Sequence, residues 1–208
     1  MKKIYLIVFT VFFFGCIKPK TNFYLQENNN TKFKLCYSKK DNINIFLDSL
    51  ILINNKNRNQ TLNLIPFDIL ISKSNLKDIL TCNKDFNFDG FNDLEIYRPD
   101  LSGYNSFSNH FLFNKKNKKY ENNSSLDSIN NIEILEENKE LCSKWHAGLS
   151  VFYLTKYNWQ KDKLNIVYSF EESNSADGKI YLTIIRKNKV ISKDSIIDKS
   201  IVYLMKCN

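Results

Sequence analysis

Between Asp85 and Asp93 the chain reads Asp85-Phe86-Asn87-Phe88-Asp89-Gly90-Phe91-Asn92-Asp93, with oxygen-bearing side chains at the first, third, fifth and ninth positions around a glycine at the sixth. Alternate side chains of a tight loop can converge, Gly90 can make the turn, and the Phe91 carbonyl adds a further oxygen. Hard oxygens at that spacing suit Ca2+, which takes about six to eight of them in flexible geometry. The carboxylates of Asp85, Asp89 and Asp93 repel one another in an empty loop, and a divalent cation offsets that repulsion. The candidate ligands are therefore Asp85, Asn87, Asp89, Phe91 through its carbonyl, and Asp93. Ile96 stands at the twelfth position, where a helical EF-hand has a bidentate Glu, and Glu95 comes one place early. Leu94-Glu95-Ile96-Tyr97 reads as a strand, so the loop is expected to feed a sheet and to bind weakly, at about 10⁻⁴ to 10⁻³ M. The competing reading is an Asp89-Gly90 hairpin turn with polar flanks.

Other constellations carry less chemistry. The two histidines, His110 and His146, belong to no H-E-x-x-H pair, and there is no G-x-S-x-G elbow. Cys142 and His146 would meet as nucleophile and base only on a helix, whereas Trp145, Ala147 and Gly148 read as strand or turn. Glu136-Glu137 and Glu171-Glu172 point to opposite faces of a strand, unlike two carboxylates aimed across one cleft. No catalytic residue is assigned and the chain is expected not to be an enzyme, with an unrecognised hydrolase as an alternative.

The elements that must position these residues show a period of two. Ile43 to Ile53 and Thr61 to Ser72 are apolar, β-branched runs around a polar connector. Phe107, Phe111 and Phe113 alternate with Ser108, His110 and Asn114 before a Lys115-Lys116-Asn117-Lys118-Lys119 turn. Val151, Tyr153, Tyr157 and Trp159 form one face, and Leu164, Ile166, Tyr168 and Phe170 one face of the next strand. Lys179 to Ile185 turns into Val190 to Ser192, and short helices are expected at 73–80 and 130–139. The expected fold is mainly β, an antiparallel β-sandwich, meander or small propeller-like domain with few short helices.

The N-terminus points to a compartment. Met1-Lys2-Lys3 precedes an apolar run from Ile4 to Phe14, too short to span a bilayer, which ends Phe13-Phe14-Gly15-Cys16. The segment resembles a bacterial lipoprotein signal, which implies a lipid on Cys16. No acidic pair follows Cys16, which favours a periplasm-facing outer-membrane protein of the bacterial cell envelope. The expected organisation is a signal peptide at 1–15, a lipidated Cys and tether at 16–31, and one β-rich domain at 32–208 carrying the loop at 85–93. Cys36, Cys82, Cys142 and Cys207 are then an even set in an oxidising compartment, and three pairings are open. A Cys82–Cys142 bridge would contribute about 4 kcal/mol in the chain-entropy model. The net charge of +8 comes mostly from dispersed Lys, with only Arg58, Arg98 and Arg186 besides, so no nucleic-acid partner is expected.

The stretch from Asp85 to Leu94 resembles the single calcium loop of FG-GAP/EF-hand-like bacterial envelope proteins. Phe111-Leu112-Phe113-Asn114, Tyr120, the Leu126 to Leu135 segment and Tyr157-Asn158-Trp159 follow it as in that group. Some members resemble periplasmic lysozyme inhibitors and serve as immunity proteins against peptidoglycan-cleaving toxins. The resemblance implies a calcium-held β domain that binds a protein partner in the envelope, a lysozyme-like hydrolase, through a loop or edge. Ser102-Gly103-Tyr104-Asn105-Ser106 is the candidate recognition loop. A structural or glycan-binding lipoprotein is the alternative.

Overall fold

A computed structural model of the chain describes residues 22–28, 31–53, 59–64, 70–99, 105–148, 151–174, 180–186 and 189–196. The expected signal segment, Cys16, Cys207 and residues 101–104 lie outside the described residues. Three antiparallel sheets follow one another along the chain. The first contains β1 (Asn22–Asn28), β2 (Thr31–Lys39), β3 (Asn44–Ile53) and β4 (Gln60–Asn63) in that order, with β5 (Leu70–Ser72) also paired to β3. The second is a meander of β6 (Leu80–Lys84), β7 (Asp93–Pro99), β8 (Ser106–Asn114) and β9 (Lys119–Asn122). After α1 (Ser124–Asp127), the third runs β10 (Ile132–Leu135), β11 (Glu140–Ala147), β12 (Val151–Gln160), β13 (Lys163–Asn174), β14 (Ile180–Arg186) and β15 (Lys189–Ile196). The mainly β, antiparallel fold expected from the period-two pattern is the fold observed, as stacked sheets rather than a propeller.

Alternation decides which face each sheet buries. Leu35, Ile45, Leu50 and Ile71 of the first sheet pack against Leu80, Leu94, Ile96 and Phe111 of the second. The opposite face of the second sheet meets the third through Phe86, Leu126 and Leu141, with Leu112, Ile134 and Trp159 against them. The second sheet is therefore the middle layer, and both its faces are covered. Cys142, Leu154 and Phe170 form a separate cluster on the far face of the third sheet. Asn123 caps α1, its side chain accepting the Leu126 N–H at 3.0 Å, and this short turn seats Leu126 in the core and Asp127 beneath β8.

Several sequence expectations are corrected. Asn22–Asn28, read as tether, is β1 and pairs with β2 along its length. The segment 130–139 is β10 plus a 3-10 turn at Glu136–Asn138, and only Lys73–Asn75 of 73–80 is a 3-10 turn, because neither segment carries an apolar stripe of helical period. Leu164, Ile166, Tyr168 and Phe170 do not share a face. The β12–β13 register jumps from Lys156↔Tyr168 to Tyr157↔Ile166, which leaves Val167 as an extra residue and switches the faces. Leu164 thus joins the cluster facing the second sheet, and Tyr168 and Phe170 join the one on the far side. A similar shift at Asp48 lets Ile45 and Leu47, then Leu50 and Leu52, all reach the core from β3.

Candidate functional site: an acidic loop beside a polar cavity

The 85–93 loop closes on its own backbone. Asp85 Oδ2 accepts the Gly90 N–H at 2.7 Å and its Oδ1 the Asp89 N–H at 3.2 Å. Asp89 Oδ1 accepts the Phe91 N–H at 2.9 Å, and its Oδ2 takes the Asn87 Nδ2 amide at 3.1 Å. Gly90 sits at φ +86°, the left-handed region that the turn requires and a side chain disfavours. Asp93 faces inward and is fully buried: Oδ2 accepts the Phe86 N–H and Oδ1 the Phe113 N–H, each at 2.8 Å. That carboxyl ties the loop to β8. Burial pushes it up to about 7, the two amide donors oppose the rise, and the charges of Asp85 and Asp89 add to it. The donor set is all oxygen, as a hard cation requires, and its negative field is uncompensated within the loop. As arranged, however, the side chains are committed to backbone amides, and among the described residues no three His, Cys, Asp or Glu side chains stand where they could hold a metal ion. A cation would have to draw Asp85, Asn87 and Asp89 onto their remaining lone pairs.

Immediately beside the loop lies a cavity of about 270 Å³, bounded by β6, β7, β8 and residues 129–132. Glu95 and His110 are register partners across β7 and β8, as are Tyr97 and Ser108, so all four project from one face of the second sheet. Lys84 Nζ lies 2.6 Å from Glu95 Oε2, and the Ser108 hydroxyl donates to Glu95 Oε1 at 2.9 Å. His110 is almost completely buried; Asp127 Oδ1 accepts its backbone N–H at 2.6 Å and stands 3.3 Å from its Nδ1. Asn122 Nδ2 donates to Asp127 Oδ2 at 2.8 Å, fixing that carboxylate. An Arg98 amino group reaches the Asp127 carbonyl at 3.4 Å; burial lowers the guanidinium from its ordinary value and Asp127 opposes the shift. The sequence assigned no role to Lys84, Glu95, Ser108, His110 or Asp127. Its one signal was the polar alternation of Ser108 and His110 in an aromatic strand, which becomes a site only once Glu95 and Asp127 are placed opposite.

Against known proteins, no family model and no curated protein matches the sequence. Among solved structures, the chain is similar to one described as a Xanthomonas type IV secretion system related protein. The TM-score is 0.61 at 12% identity, over 85% of this chain and 93% of that one. The likeness is one of fold.

The remaining candidate residues separate in space. Cys36, Cys82 and Cys142 stand on three different sheets. Cys36 and Cys82 are thiols and Cys142 is disulfide-bonded, so a Cys82–Cys142 bridge is not formed. Cys142 and His146 lie four residues apart along β11, about 13 Å of strand, and do not meet. Cys142 is buried, while His146 is exposed with its ring tilted against Phe152 at 5.1 Å. Of the candidate recognition loop, Asn105 exchanges hydrogen bonds with the His146 backbone at 2.8 and 2.9 Å, tying the residue before β8 to the third sheet. Among the described residues no helix is long and apolar enough to cross a membrane.

Proposed function

We propose that this chain is a calcium-stabilised lipoprotein of the bacterial cell envelope, anchored through Cys16, that binds a protein partner without catalysing a reaction. The partner we favour is a peptidoglycan-cleaving, lysozyme-like enzyme, with this chain as its inhibitor or immunity protein. The observation that supports the envelope-associated part of the reading is the fold-level likeness to a secretion-system-related protein, over 93% of that chain. Support also comes from the lipoprotein-like signal ending at Cys16 and from the Asp85 to Leu94 motif with its envelope-protein resemblance. Calcium enters through the all-oxygen donor set of Asp85, Asn87, Asp89 and the Phe91 carbonyl, beside a buried Asp93. Bound there, it would supply charge compensation and rigidity to the loop.

The test is inhibition of peptidoglycan hydrolysis by a panel of lysozyme-like enzymes, with and without EDTA. Stoichiometric inhibition that weakens when calcium is chelated is the expected result. Undiminished hydrolysis across the panel, with pulldown returning only glycan, would replace the reading with that of a glycan-binding lipoprotein.

A further inference from the structure

We propose that the cavity bounded by β6, β7, β8 and residues 129–132 binds a single neutral sugar unit, a compact carbon ring carrying several hydroxyl groups. The side chain of His110 is 1% exposed, yet its Nε2 makes no hydrogen bond. Asp127 Oδ1 faces Nδ1 at 3.3 Å, and a carboxylate only accepts, so the neutral ring carries its hydrogen on Nδ1 and offers Nε2 as an acceptor. Glu95 Oε1, 3.9 Å from Nε2, is itself an acceptor and cannot satisfy the neutral ring. A buried acceptor without a donor is costly, and a ligand hydroxyl supplies what is missing.

The rest of the lining extends that demand. Glu95 accepts once at each oxygen, from Ser108 and from Lys84, and a carboxylate has about four acceptor sites, so capacity is left for further hydroxyls. Lys84 has hydrogens to donate to ligand oxygens. Groups that both donate and accept on adjacent atoms fit this alternation, and sugar hydroxyls are such groups. Ile129 and Ile132 add carbon surface, and the half-exposed ring of Tyr97 offers a flat face against which C–H groups can lie. A ligand ion of either sign would meet a like charge, because Asp78 and Glu95 line the same space as Lys84. The volume of about 270 Å³ lies near the small end of ligand sites, which admits one ring rather than a chain.

The experiment uses the full chain in a detergent without a sugar headgroup. Glucose, galactose and N-acetylglucosamine are titrated at millimolar concentration with glycerol as control, followed by saturation-transfer NMR and by the ¹⁵N resonance of His110 Nε2. At least one sugar is expected to receive saturation and to move the Nε2 resonance, while Glu95→Gln and Ser108→Ala each weaken it about tenfold. If no sugar moves Nε2, if glycerol moves it equally, or if both folded variants bind as the parent does, the proposal is overturned. Should the variants fail to fold, the Nε2 titration of the parent chain decides alone.

Discussion

The ring of Phe86 meets the ring of His110 edge to face, with centroids 4.8 Å apart and planes 82° from each other. Phe86 is the second residue of the acidic loop and His110 the buried base of the cavity, so this contact joins the two features. Phe86 is also fully buried, donates its N–H to Asp93, and accepts the Trp159 indole through its carbonyl. One residue thus ties loop, middle sheet and third sheet together. Phe86→Ala should cost about 3–5 kcal/mol, as for other large-to-small changes in a packed core. It should also shift the His110 ring resonances. Urea unfolding followed by circular dichroism measures the first, and a loss under 1 kcal/mol would mean that the cluster collapses around the gap.

Asp93 makes stability depend on pH in an unusual direction. Its carboxyl holds a proton up to about 7 in the folded chain, chiefly because it is buried, against 3.8 when exposed. Between those values the folded state binds more protons than the unfolded one. The contribution is therefore complete below pH 3.8 and is lost as pH rises through about 7. In EDTA, the urea midpoint should fall across that window, and Asp93→Asn should flatten the fall. Asp93→Asn should itself cost about 1–3 kcal/mol, because one of the two backbone N–H groups loses its acceptor. A parent curve that is level across the window, or one that the variant reproduces, would show that the two amide donors outweigh burial.

The parts of this molecule that were legible in its sequence are those that depend on local period and local turn chemistry. The strands around Phe107 to Asn114 and Val151 to Trp159 follow from alternation, and the Gly90 turn follows from the Asp89-Gly90 pair. What failed to be legible depends on partners distant in the chain. β1 looks like a tether because its alternation is weak and its apolar residues Phe23 and Leu25 remain half exposed; only pairing with β2 makes it a strand. The bulge at Val167 reverses a face without a local signal. The cavity needs Glu95, His110 and Asp127 from three elements, and nothing in the order of the residues announces that β7 and β8 set the first two opposite each other.

Asn109 predicts a gain. It is fully buried on the face of β8 that packs against the first sheet, opposite Ile96, and neither Oδ1 nor Nδ2 has a hydrogen-bond partner. Two unsatisfied polar atoms in such a place are a standing cost, and an apolar side chain of similar size removes it. Asn109→Leu should raise stability by about 1–2 kcal/mol, read as a higher urea midpoint with an unchanged slope. A loss of stability would reveal a water or partner group serving the amide.

Trp159 can report directly on the loop. Its Nε1 donates to the Phe86 carbonyl at 2.8 Å, and Phe86 follows Asp85, whose carboxylate holds the loop closed through Asp89 and Gly90. A cation that redirects Asp85 must disturb the backbone at Phe86 and so the polarity around the indole. Trp145, stacked on Tyr153 with centroids 4.3 Å apart, is the other tryptophan and can be removed as Trp145→Phe. In that variant, calcium should change the emission of Trp159 with a half-saturation of about 10⁻⁴ to 10⁻³ M, the range of weak extracellular sites. Asp85→Ala should abolish the change, whereas magnesium, which demands a stiffer octahedron, should elicit far less of it. Emission that ignores calcium while Asp85→Ala leaves the urea midpoint in place would reduce 85–93 to a hydrogen-bonded turn and withdraw calcium from the proposed function.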